Sequence, residues 1–237
     1  MKRFLLTSFA LAALSGCAEP RQVISDLPSP VMHTYAVKRA PALEAPSPAA
    51  PVKRELPIGP KTIVVDPGHG GKDPGTQGVS VLAEKEFNLL LAAELSRALT
   101  RRGAKVVPTR TTDKFVTLEH RALIARRSRA DLFVSIHADW IRKRHSTGAT
   151  LYIARSPSSK SIRAADCIAA AFRSSGIKCN GIRRRDFRVL VEHPQPAVLI
   201  ECGYMSNWAD ARRLNSPAYR TRLVEAITDG VATHFTR

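Results

Sequence analysis

TIVVDPGHGG, residues 62–71, is the stretch on which the reading of this chain turns. Thr62–Asp66 is a short β-branched run stopped by Pro67 and Gly68, so it reads as a buried strand that empties into a glycine-rich loop. Downstream the pattern changes type repeatedly. Glu84–Arg102 sets Phe87, Leu90, Leu91, Leu95 and Leu99 at helical spacing and stops at Gly103. Lys105–Thr109 reads as a second strand, Leu118–Ala130 as a helix and Leu132–His137 as another buried strand. Thr150–Ile153 then reads as a strand, Ser161–Ser174 as a helix, Ala197–Glu201 as a strand and Pro217–Phe235 as a long closing helix. Such alternation implies an α/β fold with a mostly parallel or mixed central sheet flanked by helices, one domain spanning residues 61–237.

In open α/β sheets, ligands bind beyond the carboxyl ends of the strands. The loop after the first strand carries His69, the LFVSIH strand ends on His137 ahead of Asp139, and the AVLIE strand ends on Glu201. Glu84 opens the first long helix, which returns it to the same edge. Two imidazoles and two carboxylates from four separate places thus fall on one rim. Two imidazoles and one carboxylate with an open fourth position form a common catalytic zinc set, and a second carboxylate beside the bound water can serve as general base and proton donor. Spacing does not say which glutamate is ligand and which is base. A lone histidine at a strand end is ordinarily structural, and no HExxH occurs, so the coincidence at one edge carries the metal reading.

The 237 residues include 37 Lys plus Arg against 20 Asp plus Glu, a net charge of +17, with 44% hydrophobic residues. That apolar share excludes wholesale disorder, and four cysteines exclude a disulfide-built miniature. The charge points to an acidic partner: nucleic acid, an anionic membrane surface or an acidic polymer. Nine of the 16 prolines lie between Pro20 and Pro60, which marks a boundary near residue 60.

Before that boundary, Lys2 and Arg3 precede the apolar run Phe4–Leu14, too short to stay in a bilayer, and small residues lead to Cys17. Residues 1–16 have the parts of a secretory signal peptide. The ending Leu14–Cys17 resembles the lipobox of bacterial lipoproteins, which implies cleavage before Cys17 and a lipid on its sulfur. Ala18, rather than Asp, follows, so the anchor is expected in the outer membrane, facing the periplasm. Residues 17–60 are Pro/Ala-rich and bury too little to fold, so they are expected to be a lipid-anchored tether.

The blocks Asp66–Gly75 (DPGHGGKDPG), Glu84–Leu89, Thr109–Arg110, Ala130–Asp139 and Pro196–Asn207 resemble, in order, the zinc-dependent N-acetylmuramoyl-L-alanine amidases, the type 3 amidase family of cell-wall hydrolases. The resemblance implies that His69, Glu84 and His137 bind one Zn²⁺ per domain and that Glu201 is the catalytic carboxylate. It implies hydrolysis of the amide between the lactyl group of N-acetylmuramic acid and L-alanine of the peptidoglycan stem peptide. Some members carry a blocking helical insertion after the third ligand's strand. Here about fifty residues separate Tyr152 from Gly203, read as one helix and one short strand, so no such insertion is expected. Cys179–Ile182 and Phe187–Leu190 resemble the family's own segment, with Gly181 in place of its usual arginine. An activator protein therefore remains open, and the chain is expected to act as a monomer.

Other features weigh less. Lys72 is followed by Asp73, so the phosphate-loop pattern GxxxxGK[ST] fails. The clusters Arg183–Arg185 with Arg188, Arg126–Arg129 and Arg142–Arg144 are solvated faces or attract stem-peptide carboxylates and anionic lipid. Nucleic acid is disfavoured, because no aromatic residues interleave the arginines. His33, His120, His145, His193 and His234 have no converging partners in the sequence and read as structural or exposed. Cys167 and Cys179 could pair, while Cys202 reads as packing. Two rival readings survive: a non-catalytic wall-binding lipoprotein, and a zinc peptidase acting on another amide.

Overall fold

The computed structural model describes residues 55–80, 82–139 and 146–236. The signal segment, Cys17, most of the expected tether, His33, Arg142–Arg144 and His145 lie outside the described residues. Six strands form one mixed sheet: β1 (Thr62–Pro67), β2 (Lys105–Pro108), β3 (Leu132–Asp139), β4 (Ala149–Ile153), β5 (Cys179–Arg184) and β6 (Ala197–Tyr204). Their order is β2-β1-β3-β6-β4-β5. The first four in that order are parallel, β4 runs antiparallel to β6, and β5 runs parallel to β4.

β1, β4 and β6 are buried along nearly their whole length, which explains their continuous apolar runs. Alternation sorts their side chains to opposite faces. Ile63, Val65, Val134, Ile136 and Ile200 join the larger core under α1 (Glu84–Arg101), α3 (Ser159–Ser174) and α6 (Pro217–Thr236). Val64, Phe133, Leu199 and Tyr152 face the smaller core, covered by α2 (Leu118–Arg127) and the single-turn α4 (Arg188–Val191). A short α5 (Trp208–Asn215) packs on α6 and β6. Chain ahead of β1 already packs, with Ile58 buried and its N–H donating to the Arg102 carbonyl at 2.8 Å.

Three elements depart from the sequence expectation. β5 alternates poorly and is half exposed, as an edge strand can be, so CNGIRR shows no strand pattern. α4 is too short to carry a helical period. α5 is polar but begins where the Asn207 side chain accepts from the N–H groups of Ala209 and Asp210, an N-cap signal visible in the sequence. No disulfide joins Cys167 to Cys179, and Cys202 is buried. No described helix is long and apolar enough to cross a membrane.

Candidate metal centre

The register of the parallel strands brings the chemistry to one face. Asp66 lies opposite Ser135, and His137 opposite Glu201. These residues share the face under α2 and α4, and the thin cover there leaves a cleft of about 700 Å³ beyond the strand ends. His69, Glu84, His137 and Glu201 all line it, so the four sequence candidates meet at one place. The side chain of Asp139 is not among those described.

Glu84 is the hub. Its Oε1 lies 3.2 Å from His69 Nε2 and 3.0 Å from His137 Nδ1, and one ligand atom from each of the three residues lies within 4.8 Å of the others. The backbone N–H of Ala138 donates to Oε1 at 3.2 Å, and that of Thr76 donates to Oε2 at 2.8 Å. Burial pushes this carboxyl's pKa up, but the hydrogen bonds from His137 and His69 outweigh that and hold it well below the usual carboxylate range. His69 is pushed down by burial, yet Glu84 and then Asp73 raise its pKa above the ordinary value. Asp73 Oδ2 sits 2.8 Å from His69 Nδ1, the nitrogen turned away from Glu84.

Two buried arginines fix the loop that carries His69. Arg110 donates from Nε to the Pro67 carbonyl at 3.0 Å and from Nη2 to the Gly68 carbonyl at 2.8 Å. Arg121 donates from Nη2 to the His69 carbonyl at 2.7 Å and from Nη1 to Asp66 Oδ1 at 2.6 Å. Asp66 also accepts from Thr109 and Ser135. Burial pushes Asp66 up, while Arg121 and these hydroxyls more than offset it and keep its pKa below the ordinary value. His69 itself adopts a left-handed φ of 59°, so the loop conformation depends on these bonds. Breaking a buried pair of this kind by removing one partner costs about 3–5 kcal/mol.

Glycine is required where these groups crowd together. A Cβ on Gly68 would lie 2.2 Å from His137 Cε1. At Gly75, φ is +66° and a Cβ would lie 2.7 Å from both Glu84 Oε2 and His69 Cδ2. Asp73, Arg110, Arg121 and these close approaches were not singled out from sequence as parts of the site. His120 is exposed on α2, while His193 and His234 are buried away from the cleft lining occupied by the triad.

The donor set of two imidazole nitrogens and one anionic carboxylate oxygen, with a carboxylate behind one imidazole, fits Zn²⁺, which His69, Glu84 and His137 would hold. Such an arrangement can activate water beside a bound carbonyl group.

Residues 63–233 match the family described as N-acetylmuramoyl-L-alanine amidase. The probable cell wall amidase LytH of Staphylococcus aureus is 36% identical over 186 residues, which cover 77% of this chain and 61% of that protein. The chain thus spans about three fifths of the length of the curated relatives it matches. The crystal structure of N-acetylmuramoyl-L-alanine amidase from Clostridium difficile 630 is similar with a TM-score of 0.72 at 32% identity, over 75% of this chain and 97% of that one. The catalytic domain of CwlV, an N-acetylmuramoyl-L-alanine amidase from Bacillus (Paenibacillus) polymyxa var. colistinus, gives 0.70 at 35% identity, over 74% and 98%.

Proposed function

Because the chain belongs to the N-acetylmuramoyl-L-alanine amidase family, we propose that it hydrolyses the amide joining the lactyl group of N-acetylmuramic acid to L-alanine of the peptidoglycan stem peptide. The observation that carries the reading is the convergence of His69 and His137 on one oxygen of Glu84, in a cleft that Glu201 also lines.

His69, Glu84 and His137 would hold the metal. When bound there, Zn²⁺ polarises the scissile carbonyl group and lowers the pKa of a water towards about 7. Asp73 keeps the Nδ1 proton of His69 on its own side, so that Nε2 presents a lone pair. Glu201, buried within β6 three residues before its end, accepts the proton of the attacking water and passes it to the departing L-alanine nitrogen. The carbon–nitrogen bond breaks, leaving a carboxylate on the lactyl group and a free amine on the peptide. Phe115, Val116, Leu118, Phe187 and Val189 give the cleft apolar walls that suit methyl-bearing groups and help exclude water.

In this reading residues 1–16 direct export, lipid on Cys17 anchors the protein in the cell envelope, and residues 17–60 let the amidase reach the wall. The net charge of +17, or +15 once Lys2 and Arg3 leave with residues 1–16, then favours residence near anionic wall and lipid. Labelled palmitate entering wild type but not Cys17→Ser supports the anchor, and label in both refutes it.

Incubating purified sacculi with the protein, with and without chelator, tests the activity. Chelator-sensitive release of stem peptides that begin at a free L-alanine amine is expected. No release would favour a wall-binding role, and peptides cut at another amide would favour a zinc peptidase.

A further inference from the structure

The cleft is lined by three arginines, and two of them are already neutralised. Arg121 is paired with buried Asp66. Arg188 bonds to Glu119 and Glu192 at once. Arg185 makes no ion pair among the described residues, although it is exposed at the cleft wall. It is also well placed. Its N–H donates to the Ile153 carbonyl at 2.9 Å, which ties its backbone to β4. Its guanidinium lies over the Phe187 ring, 4.7 Å from the centroid, and that ring meets buried Tyr152 edge-on at 5.2 Å. Stacking leaves the rim of a guanidinium open to a planar anion, and a carboxylate fits that rim with two parallel bonds.

A second cation stacked on an aromatic ring, Lys72, is absent from the cleft lining and offers a comparison. Lys72 Nζ sits 4.8 Å from the centroid of Phe115, which is 43% exposed. It too is exposed, but an ammonium offers a point charge without a fork.

We propose that Arg185 is a specificity-determining residue that binds the free carboxylate of the stem-peptide residue following L-alanine. The inference rests on the amidase reading above. A carboxylate held there would fix the peptide side of the scissile amide while the apolar walls receive the neighbouring methyl groups. Amidating that carboxylate removes the charge and replaces one acceptor with a donor, which an arginine cannot match.

The test compares zinc-loaded wild type, Arg185→Gln and Lys72→Gln on two soluble muramoyl peptides that differ only in a free or amidated carboxyl at the second residue. Wild type is expected to favour the free acid in kcat/KM by about tenfold, mainly through KM, as for a charged hydrogen bond partly exposed to water. In Arg185→Gln the ratio should fall to about one, while Lys72→Gln keeps it. A role confined to folding or packing would lower both rates and leave the ratio standing, and that result overturns the proposal. So does loss of the ratio in Lys72→Gln, which would show a general field across the cleft, or an absence of preference in wild type. If wild type cleaves neither substrate, the amidase reading fails, and this inference falls with it.

Discussion

His69 Nδ1 lies 2.8 Å from Asp73 Oδ2, four residues further along the same loop, while His69 Nε2 faces Glu84. A carboxylate can only accept, so with a metal held between Nε2 and Glu84 the imidazole would carry its proton on Nδ1 and turn a lone pair towards the metal. Removing such a partner commonly costs 10–100-fold in metal affinity. Asp73→Ala should therefore weaken zinc binding by roughly that factor in a chelator competition. Asp73→Asn, which can still accept through its amide oxygen, should lose less. Wild-type affinity in the alanine variant would refute the argument.

Glu201 stands opposite His137 in the sheet register but lies outside the His69–Glu84–His137 cluster, so its proposed role as base can be tested apart from metal binding. Glu201→Gln should retain one zinc per chain by elemental analysis. Its kcat on muramoyl peptides should fall by about a hundredfold or more, the usual scale of positioned proton transfer. A variant that lost its zinc together with its activity would make Glu201 a ligand rather than a base.

Gly68 passes so close to His137 that a methyl group there would sit 2.2 Å from the ring. Gly68→Ala should therefore displace the imidazole and lose most of its zinc affinity. The sheet below is untouched, so far-UV circular dichroism should stay close to wild type. Zinc titration followed by spectroscopy separates the two effects, and normal binding in this variant would mean that the loop yields instead.

The parts of this arrangement differ in how plainly they stand in the sequence, and the difference is physical. β1 stands out because Ile63–Val65 is buried on both faces, so its residues must be apolar. The switch from that run to Asp66 and His69 marks the strand end where chemistry collects. His137 and Glu201 likewise stand out as polar residues late in apolar runs, although β3 and β6 run past them to Asp139 and Tyr204 rather than ending there as the sequence suggests. β5 hides because an edge strand needs little apolar surface, and its pairing with β4 depends on contacts far apart in sequence. The reversal of β4 against β6 is invisible for the same reason. Arg110 and Arg121 look like surface arginines in the sequence. Only the folded loop shows that they satisfy the carbonyls of residues 67–69.

His234, near the end of α6, supplies a pH dependence remote from the cleft. It is 2% exposed, its Nδ1 accepts from Arg163 Nε at 3.4 Å, and its ring packs against Phe235. Burial first, and then the positive charges of Arg163 and Lys160, lower its pKa from 6.5 to about 4. The unfolded chain thus takes up this proton before the folded chain does. Below pH 6.5 protonation draws the equilibrium towards the unfolded state, so the stability present above that pH declines until the folded form also titrates near 4. The full loss corresponds to roughly 3 kcal/mol, since one pKa unit is worth about 1.4 kcal/mol. Urea unfolding at pH 7 and pH 4.5 should show a smaller difference in His234→Gln than in wild type, because glutamine keeps an acceptor but has no proton to bind. The variant should be less stable than wild type at pH 7, where it loses ring packing, yet less sensitive to acid. Equal acid sensitivity in both proteins would assign the decline to the carboxylates instead.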